Sequence, residues 1–127
     1  MEAVIIITVL VLLQYTYFGI QVGGSRLKTG TNAPEQSGPP EFMRLNRVHL
    51  NTLEQLPVFL PALWMYGYTV NPVWAAGFGI VYLIGRFIYS SAYQKDPATR
   101  SVGFTMTILP SAVMLLWVLI VAILSLI

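Results

Sequence analysis

Hydrophobic positions along the chain gather into four long runs, which short polar segments separate. A helix needs about 20 mostly apolar residues to cross the hydrocarbon core of a bilayer. Each run reaches that length, and the short connections make sequential helices antiparallel. The pattern therefore predicts an all-α membrane protein, a four-transmembrane-helix bundle forming one domain over residues 1–127. The predicted spans cover residues 3–22, 42–68, 72–93 and 104–127.

Glycine and proline mark the expected ends of these spans. Gly23 and Gly24 are expected to close the first helix, and Pro72 to occupy the first turn of the third. Residues 25–41 are rich in Gly, Pro, Ser and Thr, which predicts a connector and not a separate domain.

Composition supports a membrane location. Hydrophobic residues make up 56% of the chain and charged residues 9%, whereas a soluble domain carries about 25% charged residues. The chain has no cysteine and one histidine, His49. We therefore expect neither a metal site nor a cysteine nucleophile, and no nucleic-acid partner.

The basic residues predict the orientation in the membrane, because they all fall toward one end of the bundle. By the positive-inside rule the first and third loops are then cytoplasmic, and both termini lie on the opposite side. The seven residues are Arg26, Lys28, Arg44, Arg47, Arg86, Lys95 and Arg100.

The best functional signal is a polar stripe at the start of the second span. Arg44, Arg47, Asn51 and Glu54 lie at offsets 0, 3, 7 and 10, which share one helical face. Polar side chains within a membrane span are costly to bury, so we expect them to face a ligand or a partner subunit. His49 lies on the opposite side of the helix, where a neighbouring subunit is its natural contact.

A second polar face ends the third span. Arg86, Tyr89 and Tyr93 lie at offsets 0, 3 and 7, and the antiparallel fold brings them level with the stripe, beside Arg26 and Arg100. The result is a basic, tyrosine-lined pocket, which suits a small ligand with carboxylates for the arginines and an amine for the glutamate. The alternative is that Arg44, Arg86 and Arg100 extend to the lipid headgroups. Arg47 and Glu54 then form only an ion pair with each other.

Two segments carry a resemblance to a known family. GPPEFMRLNRVHLNTLEQLPVFLPALW and GFGIVYLIGRFIYSSAY contain the runs R-x-x-x-N-x-x-E-x-x-P and R-x-x-Y-x-x-x-Y. They resemble the MAPEG family of membrane-associated proteins in eicosanoid and glutathione metabolism, from QVGGSR near the first loop through TRSVGF after the third.

The resemblance implies a homotrimer with glutathione bound between neighbouring subunits. It assigns Arg100 to the glutathione thiolate. In one departure, Gln55 stands where transferases of the family carry an aromatic residue. The residues that match the family's glutathione site are Arg26, Arg47, His49, Asn51, Glu54, Arg86, Tyr89 and Tyr93.

The resulting hypothesis is a membrane-bound glutathione transferase or glutathione peroxidase, and the choice between the two reactions stays open. Glutathione is the co-substrate, and the second substrate is a hydrophobic electrophile or lipid hydroperoxide from the bilayer. Two alternatives stay open: a non-catalytic lipid-binding or scaffold member of the family, which Gln55 favours, and a small four-helix multidrug transporter.

Overall fold

The computed structural model describes all residues from Met1 to Ile127 as helices joined by short connections. It contains four α-helices, one 3-10 turn and no strand, which confirms the all-helical class. The helices are α1 (Glu2–Thr29), α2 (Pro40–Thr69), α3 (Pro72–Lys95) and α4 (Ser101–Leu126), and the 3-10 turn covers Pro97–Thr99.

Three of the helices, α1, α3 and α4, are long and apolar enough to cross a membrane. The second helix has 30 residues, but the polar stripe occupies its first half and lowers its average hydropathy. Its role as a fourth span therefore stays a prediction.

The first helix is longer than its glycines suggested. Gly23 and Gly24 do not end α1; the helix continues to Thr29 and closes at Gly30, whose φ of 72° is left-handed. The Gly30 N–H bonds back to the carbonyl of Arg26. A single glycine costs a helix only about 1 kcal/mol relative to alanine, so the two glycines do not stop a continuous hydrogen-bond ladder.

The connection between α2 and α3 consists only of Val70 and Asn71. The Asn71 side chain accepts hydrogen bonds from the backbone N–H groups of Val73 and Trp74, at 2.8 and 3.1 Å. Pro72 occupies the first helical position, where its missing N–H costs nothing. So short a connection makes the two helices antiparallel neighbours.

The bundle is centred on the α2–α3 pair, with α1 and α4 on its opposite sides. Phe59 of α2 and Tyr82 of α3 pack edge to face in its core, with ring centroids 3.8 Å apart. The outer faces carry exposed large hydrophobic side chains along α1, α3 and α4, as expected for surfaces in contact with lipid.

Two glycines let the backbones of α3 and α4 come into direct contact. A Cβ atom added to Gly103 would collide with the backbone nitrogen of Tyr89, and one added to Gly85 would lie 2.5 Å from the Cβ of Met106. Small residues commonly permit such crossings in membrane bundles. The close approach places the start of α4, with Arg100, beside the end of α3.

Arg44 ties this end of the bundle together. Its Nη1 donates to the backbone carbonyls of Gln94 and Lys95, both at 3.0 Å. The last carbonyls of a helix lack partners within that helix, so the start of α2 caps the end of α3. These bonds use only Nη1 of Arg44, and its expected place facing a ligand or a partner subunit stays a prediction.

Candidate functional site

A cavity of about 980 Å³ opens where α2, α3 and α4 meet, at the end of the bundle that holds the first and third loops. Polar side chains of all three helices reach it. Its lining consists of Arg47, Asn51, Glu54, Gln55, Tyr89, Tyr93, Ala98, Arg100, Ser101, Phe104 and Thr105.

The structure thus brings together six of the nine residues that the sequence nominated for the site. The other three, Arg26, His49 and Arg86, lie elsewhere. Sequence reasoning missed the contribution of the first turns of α4. Ser101, Phe104 and Thr105 lie at offsets 0, 3 and 4 directly after Arg100, and this helical spacing places them on one face with it.

Arg47 and Glu54 form an ion pair across two helical turns. Nη1 of Arg47 lies 2.9 Å from Oε1 of Glu54, and the two side chains are 46% and 54% exposed. An ion pair this exposed contributes only about 0–1 kcal/mol to stability. The pair can therefore open at little cost, so that each residue binds an oppositely charged group of a ligand instead.

Two tyrosines form the aromatic wall of the cavity. The rings of Tyr89 and Tyr93, one helical turn apart on α3, are stacked with centroids 5.5 Å apart and planes at 25°. Phe104 of α4 packs against Tyr89 at 6.3 Å. Tyr89 is almost fully buried, whereas Tyr93 is half-buried, so the wall is rigid at its base.

Arg100 lies at the rim, between the 3-10 turn and α4. Its Nη1 donates to the carbonyl of Pro97 at 2.7 Å. The turn is closed by Asp96, whose Oδ1 accepts from the backbone N–H of Ala98 at 3.1 Å. Because a guanidinium has five N–H donors, this single bond leaves most of them available to an anion in the cavity.

Arg86 lies behind the cavity wall, fully buried between α2, α3 and α4. It donates to Oδ1 of Asn51 at 2.9 Å and to the hydroxyls of Thr52 and Thr107 at 2.8 and 3.4 Å. Its guanidinium carbon lies 4.4 Å from the ring centroid of Tyr89. Arg86 therefore lies behind the Tyr89 ring, outside the cavity that Tyr89 and Tyr93 line.

Arg26 and His49 belong to the α1 side of the subunit. The guanidinium of Arg26 lies 4.6 Å above the Phe42 ring and donates to the carbonyl of Glu35 at 2.8 Å. His49 stacks on Tyr15 of α1, with centroids 4.6 Å apart. His49 thus points away from the stripe, as its helical position predicted, but its contact within the subunit is α1.

An apolar groove of about 330 Å³ continues from the cavity between α2 and α4. It shares Glu54 and Gln55 with the cavity, so Gln55 stands where the polar and apolar surfaces meet. The rest of its lining is Val58, Ile108, Ser111, Ala112 and Leu115. No group of three or more His, Cys, Asp and Glu residues in the subunit is arranged to hold a metal ion.

Comparison with known proteins gives concordant matches. The profile of the MAPEG family matches residues 4–120. Microsomal glutathione S-transferase 2 of Homo sapiens is 37% identical over 102 residues, which cover 80% of this chain and 69% of the human protein. Leukotriene C4 synthase of Bos taurus is 36% identical over 94 residues, covering 74% of this chain and 63% of that protein. An uncharacterized protein of Synechocystis is 39% identical over 109 residues, covering 86% and 80%.

Proposed function

Because the chain belongs to the MAPEG family, we propose that it is a membrane-bound glutathione transferase whose site is the cavity between α2, α3 and α4. Its apolar helices and its family make it an integral membrane protein. The observation that carries the proposal is the set of charged and polar side chains in one cavity: two arginines, one glutamate and two tyrosines. Glutathione offers two carboxylates, one ammonium and one thiol, and the human relative is by name a glutathione S-transferase.

Arg47 and Glu54 bind the charged ends of glutathione in this proposal. Their ion pair opens, Arg47 takes a carboxylate of the ligand, and Glu54 takes its ammonium. Charge-assisted hydrogen bonds of this kind are roughly twice as strong as neutral ones. Little stability is lost when the pair opens, since it is half exposed.

Arg100 stabilises the glutathione thiolate. A free thiol has a pKa near 8.5, and the thiolate is the nucleophile. A guanidinium beside the sulfur favours the charged form, and each unit by which the thiol pKa falls corresponds to about 1.4 kcal/mol. The thiol proton leaves to water, and the sulfur lone pair forms the new bond to the electrophilic atom of the second substrate while that atom's leaving group departs with its bonding pair.

The second substrate in this proposal is an apolar electrophile dissolved in the bilayer. The groove between α2 and α4 leads from apolar side chains such as Val58 and Leu115 to Gln55 at the cavity edge. A hydrophobic molecule in the groove would therefore have its reactive end near the sulfur. Lipid hydroperoxides satisfy the same geometry, so peroxidase activity is a second reaction to assay.

A neighbouring subunit completes the site in this proposal. Arg26 and His49 lie on the α1 side of the subunit, away from the cavity that holds six of the nominated residues. Packing the α1 side of one copy against the cavity of the next brings both sets together. A homotrimer closes such head-to-tail contacts into a ring. We place α2 in the membrane as the fourth span, with the first and third loops in the cytoplasm.

Calorimetry on the purified protein in detergent tests the binding proposal. Glutathione should bind more tightly than an unrelated anionic tripeptide, and a conjugation assay with an apolar electrophile should show turnover. Equal affinity for both tripeptides would overturn the assignment of the site.

A non-catalytic lipid-binding member is the second candidate. Gln55 favours it, because an amide replaces the expected aromatic side chain where the groove meets the cavity. Binding of glutathione without a thiolate at neutral pH and without turnover would select this candidate. The cavity gives no support to a cation transporter, since its one carboxylate is paired with Arg47.

A further inference from the structure

The buried guanidinium of Arg86 has no acidic partner. The side chain is fully buried. No carboxylate oxygen lies within 4 Å of its nitrogen atoms, since the cations in the subunit's three ion pairs are the Met1 amino group, Lys28 and Arg47. A buried charge is costly in a protein interior and costlier still at membrane depth. Such a residue must be held by neutral groups, and those groups must accept hydrogen bonds.

The two threonine partners are arranged as acceptors. The Thr52 hydroxyl donates its own hydrogen to the carbonyl of Val48 at 2.7 Å, and the Thr107 hydroxyl donates to the carbonyl of Gly103 at 2.9 Å. Their lone pairs are therefore the atoms left to face Arg86. The arrangement fixes the guanidinium from α2 and α4, while the Tyr89 ring covers one of its faces.

Asn51 is the partner that connects Arg86 with the cavity. An arginine is a donor only, so the amide atom that faces it must be the oxygen. The observed bond runs from Nη1 of Arg86 to Oδ1 of Asn51 at 2.9 Å. The amide nitrogen of Asn51 forms no hydrogen bond within the subunit, and Asn51 lines the cavity.

We propose that Arg86 is a positioning residue that acts through Asn51, holding its amide so that an N–H donor faces the ligand. Arg86 itself does not touch the ligand. Because the amide cannot turn, the cavity presents a donor at this point and favours an acceptor on the ligand, such as a carboxylate or peptide oxygen. The inference rests on the proposed glutathione site and deepens it.

Four variants separate this role from a direct or long-range electrostatic one. Arg86→Gln offers both a donor and an acceptor, so it no longer fixes the amide, whereas Arg86→Lys remains a pure donor. We expect Arg86→Gln to weaken glutathione binding about tenfold, the cost of one well-made hydrogen bond, and Arg86→Lys to bind within a few-fold of wild type. Asn51→Ala should lose about as much as Arg86→Gln, and the double variant no more than either single one.

Calorimetric titration with glutathione measures all four, with thermal unfolding of the ligand-free proteins as the check on folding. Additive losses in the double variant would overturn the inference, because groups that act through one another are not additive. A loss in Arg86→Lys as large as that in Arg86→Gln would overturn it as well. A wild-type protein that binds no glutathione would overturn the proposed function, and this inference with it.

Asn51→Asp keeps the inference open to test if the Arg86 variants do not fold. The carboxylate retains an acceptor for Arg86 but presents an acceptor in place of the donor to the ligand. We expect the unfolding temperature to be unchanged or raised, since the buried cation gains a counterion, and glutathione binding to fall further than in Asn51→Ala. Binding of glutathione by Asn51→Asp at wild-type affinity would show that the donor is not used.

Discussion

Arg100 is the residue on which the proposed chemistry depends, because it is the cation at the rim of the cavity with free N–H groups. If it holds the thiolate, Arg100→Ala should leave glutathione affinity mostly intact. The thiol pKa in the complex should rise, since a nearby cation had lowered it, and less thiolate is then present at neutral pH. A loss of 3 kcal/mol corresponds to roughly a hundredfold in rate, and raising the pH should recover part of it.

Ultraviolet absorbance of the thiolate gives that pKa, and a conjugation assay gives the rate. Arg100→Lys is the matched control, because it keeps a positive charge at the rim and should retain part of the activity. Loss of binding with an unchanged thiol pKa would instead make Arg100 an anchor for a carboxylate.

The Arg47–Glu54 pair should matter for binding far more than for folding. Arg47→Ala or Glu54→Gln removes one side of an ion pair that is about half exposed, so each should change the free energy of unfolding by less than about 1 kcal/mol. Each also removes a charge-assisted bond to the ligand, with an expected loss in glutathione affinity of roughly 10- to 100-fold. Thermal unfolding and calorimetry measure the two effects. The opposite pattern, marked destabilisation with intact binding, would reduce the pair to a structural contact.

At the scale of the helices, Gly103 controls the site by letting α4 touch α3. Gly103→Ala puts a methyl group against the backbone of Tyr89, which cannot move aside as a flexible side chain can. We expect a loss of roughly 1–3 kcal/mol in the free energy of unfolding, as for other overpacked contacts, with weaker glutathione binding because Arg100 and the tyrosines separate. Gly77→Ala is the control, since a Cβ there meets open space. Chemical denaturation in detergent should show it neutral or slightly stabilised.

Helical spacing predicted which side chains share a face, and it located most of the cavity for that reason. Arg47, Asn51 and Glu54 do line it together. Spacing could not predict where a long side chain ends. Arg44 shares the same face, but its guanidinium turns to the free carbonyls at the end of α3. Arg86 shares a face with Tyr89, but threonines on two other helices hold it inside the bundle.

At the scale of the whole molecule, hydropathy predicted the number and order of the helices, and the motifs predicted the MAPEG family, which the family profile confirms. The prediction that α1 ends at Gly23 and Gly24 was wrong, because glycine inside a helix weakens it without ending it. The backbone ladder continues through Gly23 and Gly24 to Gly30. Helical spacing indicated that His49 faces a neighbouring subunit, but it could not indicate which surface of that subunit meets it, because the contact depends on two surfaces that meet only in the assembly.

The assembly itself gives a prediction, because the proposed site divides its residues between two faces of one subunit. Native mass spectrometry or cross-linking in mild detergent should give three copies. Arg26→Ala damages the α1 side and Arg47→Ala damages the cavity, so each protein alone should bind glutathione poorly. When the two variants are co-expressed and mix at random, a cavity from the first can meet an intact α1 side from the second. Such pairs form at about a quarter of the interfaces of a closed ring.

Trimers purified through one affinity tag on each variant contain both variants, so about one site in three should recover glutathione binding in them. The matched control is the double variant Arg26→Ala with Arg47→Ala mixed with itself, which can rebuild no site. If each site were complete within one subunit, every copy in the mixed assembly would carry one damaged half, and no binding would return. A monomer that binds glutathione at full affinity would exclude the shared site directly, because the α1 side and the cavity of one copy face different directions.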